Sequence, residues 1–217
     1  MKDGFTVFVH LSDVHFNDER KGFLDLDAEV RNEMESDCLR IKETLGPADG
    51  ILVTGDIAYA GLPEEYATAE EWLAKLARLL DCSPENTFVT PGNHDIDRSV
   101  ITESEISRLI HNDLRKCDLG AIDEMLARKL NDPIATTSLY RPLENYNQFA
   151  ARFDCDIGPG REIWESDFRL NDGSILRVRG LNSTLISDAT DNNADCKLVL
   201  GSFQCKFIQQ EGLEYIS

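Results

Sequence analysis

The stretch Phe88-Val89-Thr90-Pro91-Gly92-Asn93-His94-Asp95 decides how the rest of the chain is read. A short β-branched and aromatic run stops at Pro-Gly, which forces the backbone out of a strand. An amide, an imidazole and a carboxylate follow on consecutive positions and leave the sheet together. The end of a buried strand is where α/β folds place ligand chemistry. Asn-His-Asp is also an ordinary set of turn residues, so the weight of this stretch depends on its company upstream.

That company is regular. Phe5 to Leu11 reads as a buried first strand running into Ser12-Asp13-Val14-His15. Leu26, Val30, Met34, Leu39, Ile41 and Leu45 predict an amphipathic helix over about 25–45, ended by Gly46-Pro47. Gly50 to Thr54 is a second strand leading straight into Gly55-Asp56. Pro63 starts a second helix, with Tyr66, Ala69, Trp72, Leu73 and Leu76 on its buried face. Thr87 to Thr90 is the third strand. The order β-α-β-α-β implies parallel strands with right-handed crossovers, which bring all three polar strand ends to one edge of the sheet.

Residues 99–165 change character. Ile101 to Leu114 and Leu119 to Leu130 read as helices and Tyr140 to Phe153 as an aromatic, partly helical segment, together a mainly helical insertion or cap. Ile163 to Leu170 and Ser174 to Leu181 then alternate with period two around Asn171-Asp172-Gly173, a hairpin signal. A last helix is expected from about Ser202 to Glu211. The 217 residues suit one α/β domain, over 1–217.

The net charge of −18 is concentrated in the first 97 residues, which hold 8 basic and 21 acidic side chains. Such a surface argues against phosphate-tracking nucleic-acid binding. The six cysteines include no Cys-x-x-Cys pair, and neither a signal peptide nor a membrane-length apolar run is present. Reduced thiols in a cytoplasmic protein are the expectation. Histidines stand only at 10, 15, 94 and 111.

The three strand ends supply Asp13-x-His15, Gly55-Asp56 and Gly92-Asn93-His94-Asp95. On an extended strand Asp13 and His15 point to one side and can share a divalent metal. Asp56 has two oxygens and can bridge two metals. Asn93 offers an amide oxygen to a second cation or to a phosphoryl oxygen. His94 then lies beside the metals without having to be a ligand.

In this order, and each at a strand end, the three motifs resemble the calcineurin-like metallophosphoesterase superfamily. The resemblance implies a sandwich of two mixed β-sheets flanked by helices, incomplete here at the C-terminus. It implies two divalent ions (Mn, Fe or Zn), with Asp13, His15 and Asp56 on one and Asp56 and Asn93 on the other. A metal-bridging hydroxide would attack a phosphate ester in line, while His94 stabilises the transition state or protonates the leaving oxygen. Asp95 joins the catalytic set, since Asp95 or Asp97 is placed to orient His94. The partner is a phosphate-ester small molecule or a nucleotide, with nucleic acid and membrane disfavoured.

The sequence departs from the family pattern in two ways. The family's later histidine and its Gly-His-x-His motif have no counterpart, because no histidine follows 111. The chain is therefore read as the front part of a longer phosphoesterase, with further domains to be allowed for and a degenerate metal site as the rival account; as it stands, a weakly held second metal and poor turnover are expected. In addition, Gly55-Asp56-Ile57-Ala58-Tyr59-Ala60-Gly61 and the final Asp95 differ from the protein-phosphatase forms and favour a phosphodiesterase. The alternatives are a non-catalytic metal- or nucleotide-binding domain of a signalling protein, and a nuclease. Of the remaining candidates, His10 is expected as a satisfied core or edge histidine, His111 on the surface, and Trp72 and Trp164 in the core. Tyr59 either packs or touches substrate, and Arg98 either starts a helix or holds a phosphate.

Overall fold

A computed structural model describes residues 5–17, 26–170, 172–191, 198–206 and 213–214. Strands β1 (Phe8–Leu11), β2 (Gly50–Thr54) and β3 (Thr87–Thr90) form a parallel sheet in that order. Helices α1 (Leu26–Leu45) and α2 (Pro63–Leu79) are the crossovers. The predicted β-α-β-α-β unit is present. β1 starts later than expected because Val7 is drawn off to Asp49, whose Oδ2 accepts the Val7 N–H at 2.7 Å. In α2, Pro63 takes the first helical position, where its missing N–H costs nothing. Tyr66, Ala69, Trp72, Leu73 and Leu76 are buried, as the i, i+3, i+4 spacing requires.

β3 leads into a helical segment: α3 (Arg98–Thr102), α4 (Glu105–Lys116), α5 (Ile122–Leu130), α6 (Pro133–Tyr140) and α7 (Glu144–Ala150). The sequence pattern merged α3 with α4. Ser104 separates them, its side chain capping α4 by accepting the Ser107 N–H. The segment is fastened to the sheet at several points. Asp97 N–H donates to the Pro142 carbonyl at 2.9 Å, and the Asn145 amide donates to the Gly61 carbonyl at 2.9 Å.

The expected hairpin follows as β4 (Trp164–Arg169) and β5 (Ile175–Gly180), antiparallel, with a short β6 (Leu213–Glu214) parallel to β5. Asn171 of the hairpin turn lies outside the described residues. The last expected helix is a 3-10 turn over Ser202–Cys205, and its continuation from 207 also lies outside them.

Trp164 joins the two sheets. Its ring stacks on Phe88 at 5.8 Å, and its indole N–H donates to the Val89 carbonyl at 2.9 Å. Gly180 sits opposite Trp164, where a β-carbon would lie 2.0 Å from the indole, so only glycine admits the ring. The Val89 carbonyl also accepts from the Tyr146 hydroxyl at 3.1 Å, and the Val89 N–H faces the Cys155 sulfur at 3.5 Å. Side chains thus occupy the outer edge of β3, where no described strand pairs, and block it from pairing with another chain.

Candidate metal centre

The loops after β1, β2 and β3 meet at one edge of the parallel sheet. The first two stay hydrogen-bonded beyond the strands: Asp13, His15 and Phe16 donate their N–H groups to the carbonyls of Gly55, Asp56 and Ile57. Here the structure corrects the reading of Asp13 and His15 as neighbours on an extended strand. β1 ends at Leu11, and Asp13, His15 and Asp56 all have left-handed backbones, with φ of 56°, 52° and 51°. Such conformations are tolerated best by Asp, Asn and His and concentrate at functional sites. Three of the five non-glycine residues with positive φ among the described residues are thus candidate ligands.

His15, Asp56 and His94 offer ligand atoms that all lie within 4.8 Å of one another. Asp56 Oδ1 accepts the His94 backbone N–H at 2.9 Å, and Oδ2 stands 3.9 Å from His15 Nε2. The two imidazoles meet edge to face at 4.7 Å. His94 Nδ1 is 2.7 Å from the Tyr59 carbonyl. A carbonyl can only accept, so Nδ1 carries the proton and Nε2 is left for a cation or a substrate oxygen. Asp13 is exposed and stands outside the trio. The Asn93 backbone carbonyl accepts from Arg98 Nη2 at 3.2 Å.

The residues fit a divalent cation. His15 Nδ1 is buried without a hydrogen-bond partner, the state of an imidazole nitrogen built to bind something else. Mixed imidazole and carboxylate donors suit zinc, iron or manganese. Gly92 lets the second and third loops cross: a β-carbon there would lie 2.2 Å from Asp56 Oδ1.

Asp95 turns inward, away from His94. Oδ1 accepts from the Ala58 N–H and the Tyr66 hydroxyl, and Oδ2 from the Ile57 and Gly92 N–H groups. The acceptor that orients His94 is the Tyr59 carbonyl, and Asp97 caps α3 through the Ser99 N–H. Burial pushes the Asp95 carboxyl up to about 6, against the three backbone N–H groups that favour its charge. Asp95 ties the Gly-Asp loop to the Asn-His-Asp loop.

A cleft of about 310 Å³ opens beside Asp13 and His15, walled by Val14, Val30, Met34 and Tyr59. A larger groove of about 880 Å³ lies along α2 and contains no candidate ligand. His10 is exposed at the sheet edge, with Nε2 2.7 Å from Thr54 Oγ1, and Trp72 and Trp164 are core residues. His111, expected on the surface, is buried: Ser107, Ile110, His111 and Leu114 form the inward stripe of α4. Its Nδ1 lies 3.6 Å from Asp188 Oδ2, where Arg115 Nη1 also donates at 2.5 Å. The 107-110-111-114 spacing was the available signal, masked by the ordinary expectation that a helical histidine is solvated.

No helix among the described residues is long and apolar enough to cross a membrane. The sequence is 34% identical over 92 residues, 41% of this chain, to the glycerophosphodiester phosphodiesterase GpdQ of Enterobacter lignolyticus. It is 31% identical over 94 residues, 43% of this chain, to the uncharacterized metallophosphoesterase-like protein YydB of Bacillus subtilis. The matched stretches span 29% and 18% of those proteins' own lengths. A model of the calcineurin-like phosphoesterase family matches residues 6–200. A match that runs from β1 through both sheets and the helices between them places the chain in the calcineurin-like phosphoesterase family.

Proposed function

We propose that this protein hydrolyses phosphate esters, phosphodiesters in particular, in a reaction that requires divalent metal. The observation that carries the reading is the trio His15, Asp56 and His94, gathered from three strand ends with ligand atoms within 4.8 Å of one another. Asp13, His15, Asp56 and Asn93 would hold two cations, manganese foremost. When bound, such ions supply an activated water and neutralise charge on the phosphoryl oxygens. The chain's own part is to fix geometry and to move one proton. As the imidazolium, His94 keeps its Nδ1–H on the Tyr59 carbonyl and carries a second proton on Nε2, which passes to the leaving oxygen and leaves the ring neutral. The Val14, Val30, Met34 and Tyr59 wall takes the alcohol portion of a small ester. Similarity to a protein described as a glycerophosphodiester phosphodiesterase supports the diester preference.

The test is hydrolysis of bis(p-nitrophenyl) phosphate against p-nitrophenyl phosphate, with Mn2+ and after EDTA treatment. The diester should turn over faster, EDTA should stop it and Mn2+ should restore it. Asp56→Asn should lower kcat by about 10²–10³-fold, the scale of losing one charge-stabilising group. Equal rates with and without metal would sink the reading. Metal binding without hydrolysis of any ester would favour the binding-domain alternative, and Asp56-dependent cleavage of single-stranded DNA the nuclease.

A further inference from the structure

The peptide bond between Asn93 and His94 joins two candidate site residues, and it is held from both ends. Its N–H, on His94, donates to Asp56 Oδ1 at 2.9 Å. Its carbonyl, on Asn93, accepts from Arg98 Nη2 at 3.2 Å. Other polar backbone groups of this turn bond within the motif loops and α2: Gly92 N–H on Asp95 Oδ2, Asp95 N–H on the Gly92 carbonyl, and the Asp95 carbonyl under the Tyr66 hydroxyl. Arg98 therefore holds the carbonyl end of this peptide from the first turn of α3, one turn beyond the motif.

The direction of that peptide plane sets where two side chains point. A shift of that peptide unit as a body carries the Cα atoms of Asn93 and His94, and both side chains, with it, and a displacement near 1 Å suffices to spoil ligand or proton-transfer geometry. The bond from Asp56 cannot fix the plane by itself, because Asp56 is itself a candidate ligand and is drawn toward whatever cation it holds. A second, independent restraint is needed. Arg98 supplies it, and no ion pair to an acidic side chain is found for its guanidinium among the described residues. Its Nε is buried with no hydrogen-bond partner, so the guanidinium is held in place by packing and by the Asn93 carbonyl.

The geometry points to Arg98 as a positioning residue: it orients Asn93 and His94 through their shared peptide and does not bind the phosphate directly. This rests on the proposed metal-dependent hydrolysis. It extends it by assigning a role to a residue outside the three motifs.

The experiment compares wild type, Arg98→Lys and Arg98→Ala of the full protein. Circular dichroism melts would confirm folding, Mn2+ titration by calorimetry would give metal affinity, and kcat and KM would be taken on bis(p-nitrophenyl) phosphate. Arg98→Ala should weaken the more loosely held Mn2+ about 10–100-fold, the scale of losing an outer-sphere support. It should lower kcat while KM changes less than about twofold. Arg98→Lys retains a donor and should recover part of both, and guanidinium ion should restore kcat to Arg98→Ala. Wild-type metal affinity and kcat in Arg98→Ala would overturn the inference, as would a rise in KM alone, which marks a direct phosphate contact. If the wild type binds Mn2+ but hydrolyses no ester, the activity reading fails, and the metal titration still decides the role of Arg98.

Discussion

Gly92 leaves no space for a β-carbon, because Asp56 Oδ1 would lie 2.2 Å from it. Gly92→Ala should therefore push the Asp56 carboxylate aside. Mn2+ affinity should fall about 10–100-fold, the range expected when the support of a ligand is lost, and calorimetric titration reads it directly. Unchanged affinity would remove Asp56 from the site. Asp95→Asn tests the neighbouring brace. Each carboxylate oxygen takes two hydrogen bonds, so an amide NH2 in place of either one faces two donors. The expected cost is about 1–3 kcal/mol of stability, the penalty of unsatisfied buried polar groups, measured by urea unfolding. At this scale the sequence marked Asp95 as important but aimed it at His94, whereas the fold turns it inward. Its partners beyond its own loop come from the Gly-Asp loop, 37 and 38 positions away along the chain, and from α2, 29 positions away.

Among the elements, β3 and the side chains on its outer edge hold the fold together where no described strand pairs with β3. The Val89 carbonyl accepts from both Tyr146 of α7 and Trp164 of β4. Either donor alone keeps it satisfied. Tyr146→Phe should therefore cost less than about 1.5 kcal/mol, while Tyr146→Phe with Trp164→Phe should cost more than the two single changes combined. A double-mutant cycle in urea gives the coupling energy, and strict additivity would disprove the shared role. The elements themselves were legible: hydrophobic period, Pro63 and Gly46-Pro47 located α1, α2 and the three strands. The α3–α4 break was missed because Ser104 caps a helix in the middle of an apolar repeat, and a repeat does not register a cap.

For the whole molecule, the junction between α4 and residues 182–191 is a buried polar contact. His111 is buried there beside Arg115 from its own helix and Asp188 and Asp191 from the facing loop. Burial first, and then the Arg115 charge, lowers the His111 pKa. Burial opposes ionisation of Asp188, but the hydrogen bonds from Arg115 and Thr190 together outweigh it and hold that carboxyl below the usual range. The unfolded chain then binds a proton to His111 more readily than the native one. Stability from neutral His111 is complete above about pH 6.5 and declines as pH falls below it. The decline is at most about 1.4 kcal/mol per pH unit for one proton. Asp95 acts in the opposite sense: its raised pKa favours the native state as pH falls from about 6. Comparing wild type with His111→Gln from pH 7 to 5 isolates the histidine. The variant should lose less stability on acidification, and parallel curves would contradict the assignment.

The sequence by itself determined the family, the parallel β-α-β-α-β frame and the edge of the sheet where chemistry gathers. These depend on hydrophobic period, on turn residues and on which strand end each motif follows, all local properties of the chain. Only the tertiary structure decided which side chains meet: His15, Asp56 and His94 form the trio, Asp13 stands outside it, and Asp95 turns inward. The physical reason is that the loops fix one another. Left-handed turns at 13, 15 and 56 and the crossing at Gly92 redirect side chains that strand alternation would have aimed elsewhere.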